Sequence, residues 1–99
     1  MPAYLVVHVK VKDPHRYEDY KKLAPESIRR YGGRYLTRGG ATEVLEGDWI
    51  PQRLVILEFP TMERAKEWWG SSEYAGPKAL RHATAESTMV LLDGLDRQP

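Results

Sequence analysis

The sequence predicts an α+β fold in which strands and helices follow in the order βαββαβ. Three observations carry that prediction. Residues 3–11 (AYLVVHVKV) are rich in β-branched and aromatic side chains and divide cleanly between two faces. Asp13-Pro14 and Thr61 each open a stretch whose apolar and aromatic residues return at helical spacing. Strand-like alternation then reappears after the first helix and again at the end of the chain.

In the first strand, Leu5, Val7, Val9 and Val11 form one face and Tyr4, Val6, His8 and Lys10 the other. Asp13 is an N-cap and Pro14 suits the first helical position, where a missing N–H costs nothing. Tyr17, Tyr20, Ala24, Ile28 and Tyr31 carry the first helix to about residue 31, and Gly32-Gly33 supplies a left-handed stop. Pro25 lies inside that helix and removes one backbone hydrogen bond, which predicts a kink or a break. Arg34 to Gly47 reads as a strand interrupted at Gly39-Gly40, and Asp48 to Pro51 as a loop. Arg53 to Phe59 is the third strand, with Val55, Leu57 and Phe59 on one face and Leu54, Ile56 and Glu58 on the other. Thr61 caps a second helix through about Trp69, in which only one of Trp68 and Trp69 can face inward. A further helical piece spans roughly Glu73 to Ala83 across Gly76-Pro77, and Glu86 to Asp93 is the last strand.

The composition narrows the function classes. At 99 residues the chain is read as one domain, with its core over about 3–93 and a polar tail over 94–99. Hydrophobic residues at 41% and charged residues at 29% exclude a disordered or fibrous chain. A net charge of +1 sets up no field for nucleic acid or an anionic membrane. The apolar run from Leu5 is broken at His8, far short of a bilayer span, and no basic leader opens the chain, so a cytoplasmic protein is expected. With no cysteine, disulfides, thiolate nucleophiles and Cys-ligated metals are excluded.

The element order is that of the ferredoxin-like split βαβ fold with an antiparallel sheet. Right-handed crossovers place the first and third strands at the sheet centre, flanked by the fourth and second, with the helices on one face. The other face then carries Val6, Leu54, Ile56 and either Met89 and Leu91 or Val90 and Leu92. That surface is too apolar to leave in water, and a second copy packed sheet to sheet covers it.

The strings DPHRYEDY, GGRYLTRGG, VLEGDW, VILEFPTMERAKEWW and SSEY resemble, in order and spacing, the DUF1330 family of the dimeric α/β-barrel superfamily. The resemblance covers Ala3 to about Asp93 and implies a homodimer whose two sheets close into a barrel with the helices outside. It implies no reaction, because the family is uncharacterised, and a shared fold does not supply one.

His8 and Glu58 are the candidate catalytic residues. Both point to the helix-free face, where a carboxylate that fixes an imidazole tautomer makes a general base. A satisfied polar pair inside a dimer is the plainer alternative. Arg38 and Arg53, with Tyr17 and Trp69, are the candidate substrate-binding residues. Arg38 before Gly39-Gly40 offers a guanidinium and bare backbone N–H groups to an anion. Against this stands ordinary cross-strand ion pairing of Arg38 or Arg53 with Glu46. Tyr17 and Tyr20 can line a pocket or merely pack. His8, His15 and His82 have no metal-ligand spacing, so no metal and no cofactor is expected.

Two main functions remain open on these residues. One is binding or transformation of a small, partly apolar acidic metabolite, with Arg38 or Arg53 holding the anion and His8–Glu58 moving the proton. The other is a non-catalytic dimeric scaffold. Cofactor-independent or haem-degrading monooxygenase chemistry is a minor branch. Haem-degrading relatives use a first-strand asparagine with a later tryptophan and histidine, whereas this chain has His8, then Trp68 or Trp69 and His82.

Overall fold

A computed structural model describes residues Met1–Leu95. Seven elements follow one another: β1 (Ala3–Val11), α1 (Pro14–Arg30), β2 (Arg34–Arg38), β3 (Arg53–Phe59), α2 (Met62–Trp69), α3 (Ser72–Thr84) and β4 (Ala85–Asp93). The four strands make one antiparallel sheet in the order β2-β3-β1-β4. This is the ferredoxin-like βαββαβ arrangement, with its second crossover split into two helices. Of the expected polar tail over 94–99, Gly94 donates its N–H to the Pro2 carbonyl at 2.8 Å, and residues 96–99 lie outside the described part.

Each helix starts where a side chain accepts an otherwise orphaned backbone N–H. Asp13 takes that of Arg16, Thr61 that of Arg64 and Ser71 that of Tyr74. Gly32, at φ +80°, ends α1.

Pro25 neither kinks nor breaks α1, which runs unbroken from Pro14 to Arg30. A proline leaves the carbonyl four residues earlier without its helical donor. Here that carbonyl is Lys21's, and the Arg38 guanidinium donates to it at 2.5 Å. The bond lost within the helix is replaced from β2. Likewise α3 passes through Gly76-Pro77 without interruption.

The second strand is shorter than its sequence suggests. Arg34–Arg38 pairs with β3 across a bulge between Tyr35 and Thr37, and the chain from Gly39 to Gln52 forms no strand. Among the described residues no strand lies beyond β2 to pair with residues 41–47, so their backbone finds no ladder.

Leu5, Val7, Val9, Val55, Leu57 and Phe59 form the sheet's contribution to the core. The helices add Tyr17, Ala24, Ile28, Ala65, Trp68 and Tyr74. Trp68 is the inward tryptophan, 1% exposed, stacked between Phe59 and Tyr74, with its indole N–H on Ser27 Oγ at 3.1 Å. Trp69 is 49% exposed. On β4, Met89 and Leu91 sit opposite Val7 and Leu5 and face the helices, which leaves Val90 and Leu92 on the open face.

Candidate functional site

The register divides the predicted site residues between the two faces of the sheet. Glu58 lies opposite Tyr4, while His8 lies opposite Leu54 and Thr88. Both face away from the helices, as expected, but they stand four positions apart along the ladder, about 13 Å at ~3.3 Å per residue. The predicted His8–Glu58 pair is therefore not formed. Glu58 instead accepts from Arg34 Nε at 2.7 Å. His8 Nε2 accepts the Gln52 backbone N–H at 3.0 Å and meets the Trp49 ring edge-on at 5.3 Å.

Arg38, Arg53 and Tyr17 lie on the other side, under the helices. Arg53 shares its strand face with Val55 and Leu57, and the bulge brings Arg38 opposite Val55. The sheet thus separates the arginines from His8 and Glu58, and one substrate cannot touch both sets. The same separation splits the pattern of the haem-degrading relatives, because Trp69 and His82 are on the helix side and His8 is not.

On the helix side the sheet and α1 enclose a cavity of about 30 Å³, space for one or two water-sized groups. Tyr17, Tyr20, Tyr35, Arg38, Arg53 and Arg81 provide its polar lining together with Lys21. No carboxylate belongs to this lining among the described residues. Tyr17 lies beneath the Arg53 guanidinium at 5.7 Å, and Arg38 stacks on Tyr35 at 4.6 Å. Arg53 Nε is buried without a hydrogen-bond partner. Its guanidinium fills the space where a side chain on Gly39 would project, so a residue other than glycine there would push Arg53 aside. The Gly39 N–H, predicted to face an anion, donates instead to the Leu54 carbonyl at 2.9 Å. Neither Arg38 nor Arg53 forms an ion pair with Glu46 among the described residues.

Arg81 escaped the sequence reading. It is only 4% exposed, and its partners include no carboxylate: they are Tyr74 Oη at 3.1 Å, Ser87 Oγ and the ring of His82 at 3.4 Å. Its signal was the two-turn spacing from Tyr74, which puts both on the inward face of α3. Arg81, Trp68 and Met89 line both the cavity and a larger, adjoining outer pocket of about 420 Å³. Trp69, Lys66, His82 and Leu91 line the outer pocket's far side, with Lys78 Nζ 3.9 Å above the Trp69 ring.

The phenols here hold their protons tightly. Burial raises the pKa of Tyr17, against the pull of Arg53. Burial also pushes Tyr20 far up, reinforced by the Tyr74 phenol whose oxygen lies 2.8 Å away. Tyr35 is raised for the same reason, opposed by Arg38. The site consequently offers cations and neutral O–H groups together.

Residues 2–95 match the family model described as a domain of unknown function, DUF1330. The chain belongs to the DUF1330 family. No curated protein matches it. Among solved structures, it is similar to a Rhodopseudomonas palustris protein of unknown function at 19% identity and TM-score 0.78, covering 97% of this chain and 84% of that one. It is also similar to SnoaB, a cofactor-independent oxygenase from Streptomyces nogalater, at 13% identity and TM-score 0.65, covering 99% and 97%. A dimeric protein of unknown function with a ferredoxin-like fold from Bacteroides fragilis is 15% identical, TM-score 0.59, covering 94% and 96%. At these identities the likeness is one of fold. The DUF1330 chain has no helix among its described residues long and apolar enough to cross a membrane.

Proposed function

We propose that this DUF1330 protein is a homodimer that binds a small, partly apolar anion, a carboxylate above all, on the helix side of each sheet. The acid group lies against Arg53 and Arg81, and the apolar body lies in the outer pocket along Trp69 and Leu91. The observation that carries this reading is cationic excess under cover. Arg53 has a buried Nε without a partner and Arg81 is buried with no carboxylate partner, while neither chamber has a carboxylate in its lining among the described residues. Burying a guanidinium without an anion is costly, and a carboxylate ligand compensates that cost with charge-assisted hydrogen bonds. The outer pocket falls in the range of small-molecule sites, whereas the inner cavity has room only for the acid group.

Dimerisation is supported by the open face. Val90 and Leu92 are 55% and 56% exposed there, beside Val6, Leu54 and Ile56. In this arrangement His8 and Glu58 belong to the interior between two sheets, as residues of the interface. Toward a helix-side ligand the phenols of Tyr17 and Tyr20 offer neutral O–H groups that keep their protons.

The test is a thermal-shift and calorimetric screen of benzoate, phenylacetate and short aliphatic carboxylates against their neutral amides. Carboxylates are expected to raise Tm and amides to leave it unchanged, because only a bound ligand stabilises by mass action. Arg53→Met is expected to abolish the shift with the fold intact. A set of carboxylates that never shifts Tm, or an Arg53→Met protein that binds like wild type, overturns the reading.

A further inference from the structure

We infer that the segment from Gly39 to Gln52 is a clasp that closes on the second copy of the chain, extending the sheet-to-sheet contact beyond the sheet. This inference rests on the dimer proposed above and names the part of each protomer that secures it.

Both ends of the segment are fixed. At one end the Gly39 N–H is bonded to the Leu54 carbonyl; at the other the Gln52 N–H is bonded to His8 Nε2. Trp49 lies against His8 and joins Val6, Leu54, Thr88 and Val90 around a depression on the open face. The segment therefore leaves the sheet on the open side, and its apolar residues continue the apolar surface of that face. Between its ends it carries large side chains with nothing to cover them: Leu45 is 92% exposed, Ile50 79%, Trp49 59% and Val44 42%. Single exposed apolar residues need no explanation, but a run of them continuous with an apolar sheet face marks an interface.

Area argues that the occupant is a second copy. The strands of this sheet present roughly 500 Å² in projection, from their ~3.3 Å rise and ~4.8 Å spacing. A standard stable interface takes about 800 Å² from each partner. Side-chain relief makes the accessible area of the face larger than its projection, and the segment extends it further toward the size of a standard dimer interface. A two-fold contact must also complement itself, which an apolar surface does. Arg34 is paired with Glu58 and Lys12 with Glu86 around this face, whereas Lys10 on the face and Glu43, Glu46 and Asp48 on the segment have no ion-pair partner among the described residues, so the acidic segment of one copy and the face of the other carry opposite unpaired charge.

The chain has no cysteine, so a single thiol placed at position 45 reports on that position alone. The experiment attaches a benzophenone maleimide to Leu45→Cys, irradiates it, and identifies the crosslinked peptide by mass spectrometry. Sedimentation of wild type and of the Leu45→Ser/Ile50→Ser double variant runs in parallel, with circular dichroism monitoring the fold. The expected results are a covalent dimer joined through position 45 and a dimer dissociation constant at least a hundredfold higher in the double variant. A wild-type dimer that crosslinks only within one chain, and that the double variant leaves equally tight, overturns the clasp while the dimer stands. A monomeric wild type overturns both.

Discussion

The two faces of this sheet are made of the same four strands and differ in what they leave unpaired. On the helix side the apolar groups are covered, and the cations Arg53 and Arg81 lack an acidic partner among the described residues. On the open side Glu58 is matched by Arg34, and Val90 and Leu92 are left bare. One face lacks an anion and the other lacks apolar cover. Residues alternating along a single strand can thus serve two partners of opposite chemistry, since a pleated strand sends neighbours to opposite sides.

The largest effect that tests this division comes from the adjacent tryptophans. Trp68→Ala removes a ring that packs on Phe59 and Tyr74 and a hydrogen bond to Ser27, and it is expected to cost ~3–5 kcal/mol in urea unfolding. Trp69→Ala is expected to stay within ~1 kcal/mol of wild type while weakening carboxylate binding. Equal losses from the two would erase the distinction between core and pocket wall.

Next in size is Arg53→Met. Arg53 is half-buried with an unpartnered buried Nε, and replacing such a poorly satisfied guanidinium with an apolar side chain is often neutral or stabilising. Stability is expected to change by less than ~1 kcal/mol while carboxylate affinity falls at least tenfold, about 1.4 kcal/mol. A large loss of stability instead would make Arg53 a structural residue and the helix side no different in kind from the open one.

The phenols sharpen the comparison through pH. Tyr17, Tyr20 and Tyr35 keep their protons in the folded protein beyond the ordinary value of 10.0, whereas the unfolded chain ionises there. The folded state then binds more protons, so the stability these groups contribute is complete below about pH 9 and is lost as pH rises past 10. Tyr20→Phe should flatten that decline, measured as Tm from pH 8 to 11. An unchanged slope would mean that the helix-side phenols are not dry.

The smallest expected effect lies outside both faces. Gly76 sits within α3 with open space where a side chain would project, so Gly76→Ala should raise stability by ~0.5–1 kcal/mol and leave binding and assembly alone. A change in either would show that α3 takes part in one of the faces in a way its packing does not reveal.

The fold was legible because its signals are local. Asp13 and Thr61 mark helix starts, and the alternation in β1 and β3 assigns their faces without knowledge of a neighbour. The site was less legible because it depends on pairing between distant segments. Alternation placed His8 and Glu58 on one face correctly, but only the register shows them four positions apart. The unbroken path of α1 was equally hidden, since the donor that replaces Pro25's missing bond is Arg38 on a different element. Arg81 was missed for a third reason. A cation on a helix is ordinarily solvated, and only the packing of Tyr74 and Ser87 around it reveals its burial.

The pairing of β1 with β4 has a consequence for how the molecule is made. The ladder runs from Ala3 opposite Asp93 to Val11 opposite Ala85, so the first strand to leave the ribosome waits for the last to complete its hydrogen bonds. Until then the apolar YLVVHV run has an open edge that can template pairing with another nascent chain. Before β4 emerges, folding during synthesis can assemble β2, β3 and β1 with the helices, but not the β1–β4 ladder. Expression at low temperature or with slowed initiation, which keeps unfinished chains apart, is therefore expected to favour correctly folded protein over aggregate.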